Sequence, residues 1–312
     1  MAWKILITDG LEKVGKDLLD AHDEGVDKKG IEADELLQVI PEYDAVIVRG
    51  RTKVTADVLN AGTKLKAVGR MGVGVDNIDL EAAKARGITV VNAPVSTSQA
   101  VAELALGMLF CLARELPRGD ATMKAETWAK KEFNGVELDG KTLGLIGFGN
   151  IGRVVGKVAN ALGMKVLAYV RTRPPEYVRA NGAEPATLDE IYQQADFISL
   201  HLPLTEESRN MLNDETFAKM KDGVRIVNTA RGGVIDEPAL LRALESGKVA
   251  GVAMDVHAKE PPVDWALAKH PKVVAMPHVG GQTNEAQLRA AVDIASEILN
   301  VLNGEPLRWK VV

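Results

Sequence analysis

Three residues in the second half of the chain are of the types that carbonyl reduction needs. They are Arg231 in NTARGGVIDE (228–237), Glu260 in MDVHAKEPP (254–262) and His278 in MPHVGGQT (276–283). A hydride joining or leaving a carbonyl carbon requires a proton at the oxygen, and an imidazole handles that proton near neutral pH. A carboxylate beside the ring raises its proton affinity and fixes its tautomer. A guanidinium grips a substrate carboxylate at two points and polarises the carbonyl next to it. Together the three describe reduction of a 2-keto acid, or the reverse reaction. The remaining histidines, His22, His201, His257 and His270, read as structural. No grouping of His, Cys and carboxylate has metal-ligand spacing, so no metal is expected.

These groups must be positioned by strands and helices in alternation. Each of the three segments follows a strand-like apolar run, and open α/β sheets collect ligands at the C-terminal ends of their strands. KILIT (4–8), DAVIVR (44–49), LKAVGR (65–70) and ITVVN (88–92) read as buried strands separated by helical stretches. A long apolar helix begins near Thr97 and is expected to end at Pro117. Six further strand candidates follow: TLGLIGF (142–148), KVLAYV (165–170), FISLH (197–201), RIVNT (225–229), VAGVAMDV (249–256) and VVAMPHV (273–279). PEYVRANGAE (175–184) reads as a solvated helix. A last helix over roughly 283–303 must return to the first unit, because nothing else follows it. The expectation is α/β, with two doubly wound parallel-sheet domains. A dinucleotide-binding domain over 97–281 interrupts a substrate domain made of 1–96 plus 282–312.

The run Gly147-Phe-Gly149-Asn150-Ile151-Gly152 is G-x-G-x-x-G, placed after a strand and opening an apolar-periodic helix. In that context the first glycine makes a tight turn, the second lets a pyrophosphate approach the backbone and the third lets helix and strand pack closely. The helix N-terminus adds free N–H groups and partial positive charge. About twenty residues on, an acid usually holds the adenosine ribose. Here Val170 is followed by Arg171, Thr172 and Arg173, which suit a 2′-phosphate. NADP(H) is therefore the expected cofactor, with NAD(H) as the alternative. The earlier cluster Gly69-Arg-Met-Gly72-Val-Gly74 has the reverse spacing and reads as a backbone turn beside the substrate.

The totals bound the partners. The chain has 312 residues, enough for two domains, and a net charge of −5, which gives no support to nucleic acid or an anionic membrane surface. No run approaches a membrane span and no signal peptide is evident. The only cysteine, Cys111, lies in MLFCLA and reads as an inert buried thiol. A cytoplasmic location is the expectation.

GRMGVGVDNIDLEAA, AVAELALGM, ELDGKTLGLIGFGNIGR, VNTARGGVIDEPALLRAL, AMDVHAKEPP and PHVGGQTNEAQ together resemble the D-isomer-specific 2-hydroxyacid dehydrogenase family, over essentially the whole chain. The similarity is greatest to its phosphoglycerate dehydrogenase branch, in a short form without a regulatory domain. The resemblance implies a Rossmann cofactor domain inserted into a flavodoxin-like substrate domain, a cleft between them, and a homodimer formed through the cofactor domain. It implies Arg231, Glu260 and His278 as the catalytic set, with Asp255 holding the nicotinamide carboxamide. Leu202, Thr229, Ala230 and the Gly280–Gly281 turn would line the cofactor, and amides around Val73 and Gly74 would grip the substrate carboxylate. Arg49 and Arg70 join the substrate site by resemblance, and Arg51 is added as a third cation for a phosphate or second carboxylate. The candidate substrates are 3-phosphohydroxypyruvate or 3-phosphoglycerate, hydroxypyruvate, glyoxylate and larger 2-keto acids. A cofactor-sensing corepressor on the same fold is the alternative function. The chain departs from the family pattern at Val170, at APVSTSQ with Val95 and Thr97, at Arg51 and at Gln282.

Overall fold

The computed structural model describes residues 2–21 and 23–312; His22 lies outside the described residues. The chain divides into two compact units, Met1–Ser98 with Gly281–Val312, and Gln99–Gly280.

In the first unit five parallel strands stand in the order β2-β1-β3-β4-β5: β1 (Lys4–Ile7), β2 (Glu24–Asp27), β3 (Ala45–Val48), β4 (Ala67–Arg70) and β5 (Thr89–Asn92). This is the flavodoxin-like order. β3 is buried at every residue, as a parallel strand covered on both faces must be. Its alternate side chains feed two cores, Val46 and Val48 on one face, Ala45 and Ile47 on the other. The second of these cores is closed by the helix Asn284–Asn303, through Ala290, Ala291, Ile294 and Ile298. Thr283 caps that helix by accepting from the Ala286 amide. Beyond it, the fully buried Glu297 carboxylate accepts from the Arg308 amide at 3.0 Å, the Trp309 amide at 3.1 Å and Arg308 Nε at 3.2 Å. That anchor holds the last residues against β5, where Lys310 bridges Val91.

The second unit has seven strands: β6 (Thr142–Ile146), β7 (Lys165–Tyr169), β8 (Glu184–Pro185), β9 (Phe197–Leu200), β10 (Val224–Asn228), β11 (Val249–Met254) and β12 (Val273–Ala275). They are parallel, in the order β12-β11-β10-β9-β6-β7-β8. Counted within the unit, the order runs outward both ways from its first strand, which is the Rossmann arrangement. Ile226 and Val252 point into one core and Val227 and Ala253 into the other, so the sheet is covered on both faces.

Several elements differ from expectation. Two edge strands, β2 and β8, are additional to the runs that the sequence marks: EGVD carries acids at both ends, and β8 is two residues long with a proline. Neither offers the apolar run of a buried strand, and an edge position tolerates both features. PEYVRANGAE is helical only over Pro175–Ala180; Val178 is buried in the core, and Glu184 already belongs to β8. Pro117 does not end the long helix. That helix, Ser98–Arg114, stops at Glu115, whose φ is 51°, and Pro117 sits in the first turn of the next helix, Leu116–Lys124. A proline is tolerated there because the first-turn amides have no intrahelical partner. Cys111 is half-buried rather than fully buried, being on a flank of its helix beside the exposed Phe110; what burial it has pushes its thiol pKa up.

Candidate active site

The glycine turn connects β6 to the helix Asn150–Ala161. Gly147 has a φ of 98°, and a Cβ there would stand 2.2 Å from the His201 carbonyl oxygen. A Cβ at Gly152 would stand 2.4 Å from the Gly147 carbonyl oxygen. Any side chain at either position would force helix and strands apart. Gly149 differs: nothing lies within 4 Å of where its Cβ would be. One side of the loop is therefore open backbone at a helix N-terminus, which fits a pyrophosphate.

His201, just beyond β9, supports this turn. Its Nε2 lies 2.9 Å from Ser199 Oγ and its Nδ1 3.5 Å from Thr229 Oγ1. Burial of the ring pushes its pKa down to about 3, so the imidazole under the loop is neutral. Leu202 packs on the adjoining core, and Thr229 and Ala230 are buried. After β7, Val170 packs on the other core while Arg171, Thr172 and Arg173 are exposed. The Arg171 guanidinium pairs with Glu207, and the Arg173 guanidinium lies 5.3 Å from the centre of the Tyr177 ring.

The three chemistry-bearing residues follow three adjacent strands, β10, β11 and β12. The buried Asn228 shapes the first loop: its Oδ1 accepts from the Ala230 amide at 3.0 Å and its Nδ2 donates to the Arg231 carbonyl at 3.0 Å. The Arg231 side chain donates to the Ala230 carbonyl at 2.7 Å. The next residue, Gly232, lets this loop press on the one after β11, since a Cβ there would stand 1.9 Å from the His257 carbonyl carbon. That second loop is tied down by Glu237, which accepts from the Ala258 amide at 2.7 Å.

Glu260 Oε1 accepts from the His257 amide at 3.1 Å, and Oε2 lies 2.6 Å from His278 Nδ1. Burial works to raise the Glu260 pKa, but the hydrogen bonds from His278 and His257, with their charges, outweigh it and hold the carboxyl below its ordinary value. Asp255, only 2% exposed, fixes the histidine's loop from behind. It accepts from the Val279 amide at 2.8 Å and the Gly280 amide at 2.7 Å. His278 itself has a φ of 55°, a left-handed conformation that an L-residue adopts only under constraint. Burial pushes the Asp255 carboxyl above its ordinary value despite these two donors. Both Asp255 oxygens are thus engaged by backbone amides, a role its spacing does not announce. Asn228 and Gly232 also escape a reading of the sequence; their one signal is NTARGG at a strand end. A cavity of about 350 Å³ adjoins the pair, lined by His257, Glu260, Pro261, Trp265, Met276 and His278 among others.

The expected substrate residues lie in the first unit. Arg49 donates to Gln287 and stands 3.7 Å from Glu12. Gln287 in turn donates to the Gly281 carbonyl at 2.6 Å. Arg51 is half-exposed and donates to Asp9 at 3.2 Å and to the Ile31 carbonyl at 2.8 Å. Asp9 organises the loop around Arg51 by accepting also from the Arg49 amide and the Thr52 hydroxyl, each at 2.7 Å. Arg70 donates to the Met71 carbonyl at 2.8 Å. Val73 is partly exposed, and its carbonyl accepts from Asn92 at 2.7 Å; Gly74 follows in the same turn. Asp9 and Gln287 carry no sequence signal of these roles. Among the described residues no group of three His, Cys, Asp or Glu could hold a metal, and no helix is long and apolar enough to cross a membrane.

Arg231, Glu260 and His278 thus follow successive strands of a doubly wound Rossmann-type unit, and the comparisons with known proteins place the chain in the same α/β class. Residues 106–280 match the family model described as D-isomer specific 2-hydroxyacid dehydrogenase, NAD binding domain. The D-3-phosphoglycerate dehydrogenase of Rattus norvegicus is 47% identical over 305 residues, which is 97% of this chain and 57% of that protein. The hydroxypyruvate reductase of Thermotoga maritima is 46% identical over 304 residues, covering 96% of this chain and 98% of that one. The crystal structure of a glyoxylate reductase from Paecilomyes thermophila superposes with a TM-score of 0.91 at 31% identity, covering 100% of this chain and 99% of the other. The chain belongs to the D-isomer-specific 2-hydroxyacid dehydrogenase family. It spans 57% of the length of the phosphoglycerate dehydrogenase it matches and nearly all of the hydroxypyruvate reductase.

Proposed function

We propose that the protein is an oxidoreductase that transfers a hydride between a nicotinamide cofactor and a small D-2-hydroxy acid or 2-keto acid. The observation that carries this reading is the 2.6 Å pair of His278 and Glu260 beyond the strands that follow an open glycine turn. When bound, the nicotinamide supplies or accepts the hydride. His278 Nδ1 faces Glu260, so Nε2 is the nitrogen that gives a proton to the substrate oxygen in reduction and takes it back in oxidation. Glu260 keeps its charge and stabilises the imidazolium. Arg231 holds the substrate carboxylate and polarises the carbonyl. Asp255 holds the His278 loop, while Gly147, Gly149, Asn150, Ile151 and Gly152 cradle the pyrophosphate.

The exposed Arg171 and Arg173, with no acid at Val170, support a preference for NADP(H) over NAD(H). Among the candidate substrates, hydroxypyruvate and glyoxylate are favoured over a phosphorylated acid. Arg51, the added cation, is already bound to Asp9 and the Ile31 carbonyl. A homodimer in the cytoplasm completes the reading. The test is steady-state oxidation of NADPH and NADH by the purified protein against hydroxypyruvate, glyoxylate, 3-phosphohydroxypyruvate and larger 2-keto acids. The expected result is a kcat/KM at least about tenfold higher with NADPH, equivalent to about 1.4 kcal/mol, and lost in Arg171→Ala/Arg173→Ala. A preference for NADH would overturn the phosphate-loop assignment, and no turnover with any keto acid would overturn the activity.

A further inference from the structure

The loop after β9 carries an acid that neither the glycine turn nor the proton-transfer pair uses. Glu207 is exposed, in a loop whose backbone is held by its neighbours. The buried Ser208 beside it accepts from the Thr205 amide at 2.7 Å and donates to the Pro203 carbonyl at 2.8 Å. Thr205 Oγ1 donates to Glu207 Oε2 at 3.3 Å, and the same oxygen takes the Arg171 guanidinium. The loop backbone is fixed while the carboxylate at its tip remains in water.

The strand order explains the pairing. β9 and β7 flank β6 on either side, so the loops following them border the glycine turn from opposite directions. Two further cations of this corner gather on one ring. Arg173 lies 5.3 Å and Arg153 5.9 Å from the centre of Tyr177, which itself meets Phe148 edge-on at 6.4 Å. Three arginines therefore stand around the turn, and the Glu207 carboxylate is on Arg171.

We propose that Glu207 is a specificity-determining residue that competes with the adenosine 2′-phosphate for Arg171. The inference rests on the reading that Arg171 and Arg173 face the ribose. A ligand with a 2′-phosphate brings nearly two negative charges and three strong acceptors, and draws Arg171 off Glu207. A ligand with a plain 2′-hydroxyl leaves the ion pair closed. The carboxylate missing at Val170 is thus supplied from another loop, and its contact with Arg171 lowers the preference for the phosphorylated cofactor. Because the pair is exposed and screened by solvent, the exchange is easy and the effect is moderate.

The test is titration calorimetry of the intact protein with NADP+, NAD+ and 2′,5′-ADP, for wild type, Glu207→Gln, Arg171→Ala and the double variant, with melting curves to confirm folding. Glu207→Gln is expected to tighten NADP+ and 2′,5′-ADP by about two- to fivefold and to leave NAD+ unchanged. In the Arg171→Ala background the same substitution is expected to be silent. Unchanged NADP+ affinity in Glu207→Gln overturns the proposal, and so does an equal gain when Arg171 is absent, since Glu207 would then act as general surface charge. If Arg171→Ala alone leaves NADP+ affinity unaltered, the parent reading of the loop fails, whatever Glu207 does.

Discussion

Replacing Asp255 by Asn is the most informative single change to the site, because it alters one atom and leaves the fold's packing intact. The carboxylate receives the Val279 and Gly280 amides at 2.8 and 2.7 Å, one on each oxygen. An Asn side chain keeps one acceptor and turns an NH2 toward the other amide, so one of the two bonds is lost. A hydrogen bond to a charged group contributes about 1.5–3 kcal/mol. The left-handed backbone of His278, at φ 55°, costs about 1–2 kcal/mol for an L-residue. Losing one bond is therefore enough to release the histidine from its place against Glu260. At about 1.4 kcal/mol per factor of ten, kcat is expected to fall by about 10- to 150-fold. The assay is steady-state turnover, paired with cofactor binding by fluorescence and a thermal melt. Because burial raises the Asp255 pKa from its ordinary value, the wild type should also lose activity on an acid limb that the Asn variant lacks. A kcat within about twofold of wild type would refute the clamp. So would an effect confined to cofactor affinity, which would give Asp255 only the carboxamide-binding role implied by the family.

Two further expectations concern stability. The folded state keeps His201 neutral, with a pKa of about 3, whereas the unfolded chain protonates it below about 6.5. The unfolded state thus binds more protons between those values, and stability falls as pH drops through that window, by at most about 1.4 kcal/mol per pH unit. His201→Gln should flatten the dependence of Tm on pH there, and an unchanged slope would contradict it. Glu297→Ala strands the amides of Arg308 and Trp309 at a fully buried position. A loss of about 3 kcal/mol or more is expected in denaturant titration, and a loss under about 1 kcal/mol would show that the C-terminal segment is held by its other contacts.

Much of this fold is legible in the sequence because buried parallel strands announce themselves as β-branched runs. The strands AVIV and TLGLI end within a residue or two of the limits that their apolar runs suggest. The glycine fingerprint is equally plain, since Gly147 and Gly152 meet steric demands that no other residue satisfies. The edge strands β2 and β8 are not legible, because a strand with one neighbour needs neither burial nor apolar residues, whereas the edges β5 and β12 keep the apolar runs that mark them. Pro117 misleads because proline breaks a helix interior but suits a first turn, and sequence alone does not say which side of the break it occupies. At the site, Arg231, Glu260 and His278 stand out through their chemistry. Asp255 and Gly232 meet backbone groups brought together only by adjacent strands, so their roles require the fold, while Asn228 shapes its own loop through the Ala230 amide and the Arg231 carbonyl. The contacts of Arg51 with Asp9 and the Ile31 carbonyl are equally a product of the fold and have no signal in the sequence.

The central claim is that His278, paired with Glu260, moves the proton that accompanies hydride transfer to a 2-keto acid. Its most direct test is the turnover of His278→Ala with NADPH and the best keto acid, alongside calorimetric cofactor binding. The account predicts a fall in kcat of about 100-fold or more, with cofactor affinity unchanged. Turnover that survives the substitution would contradict it.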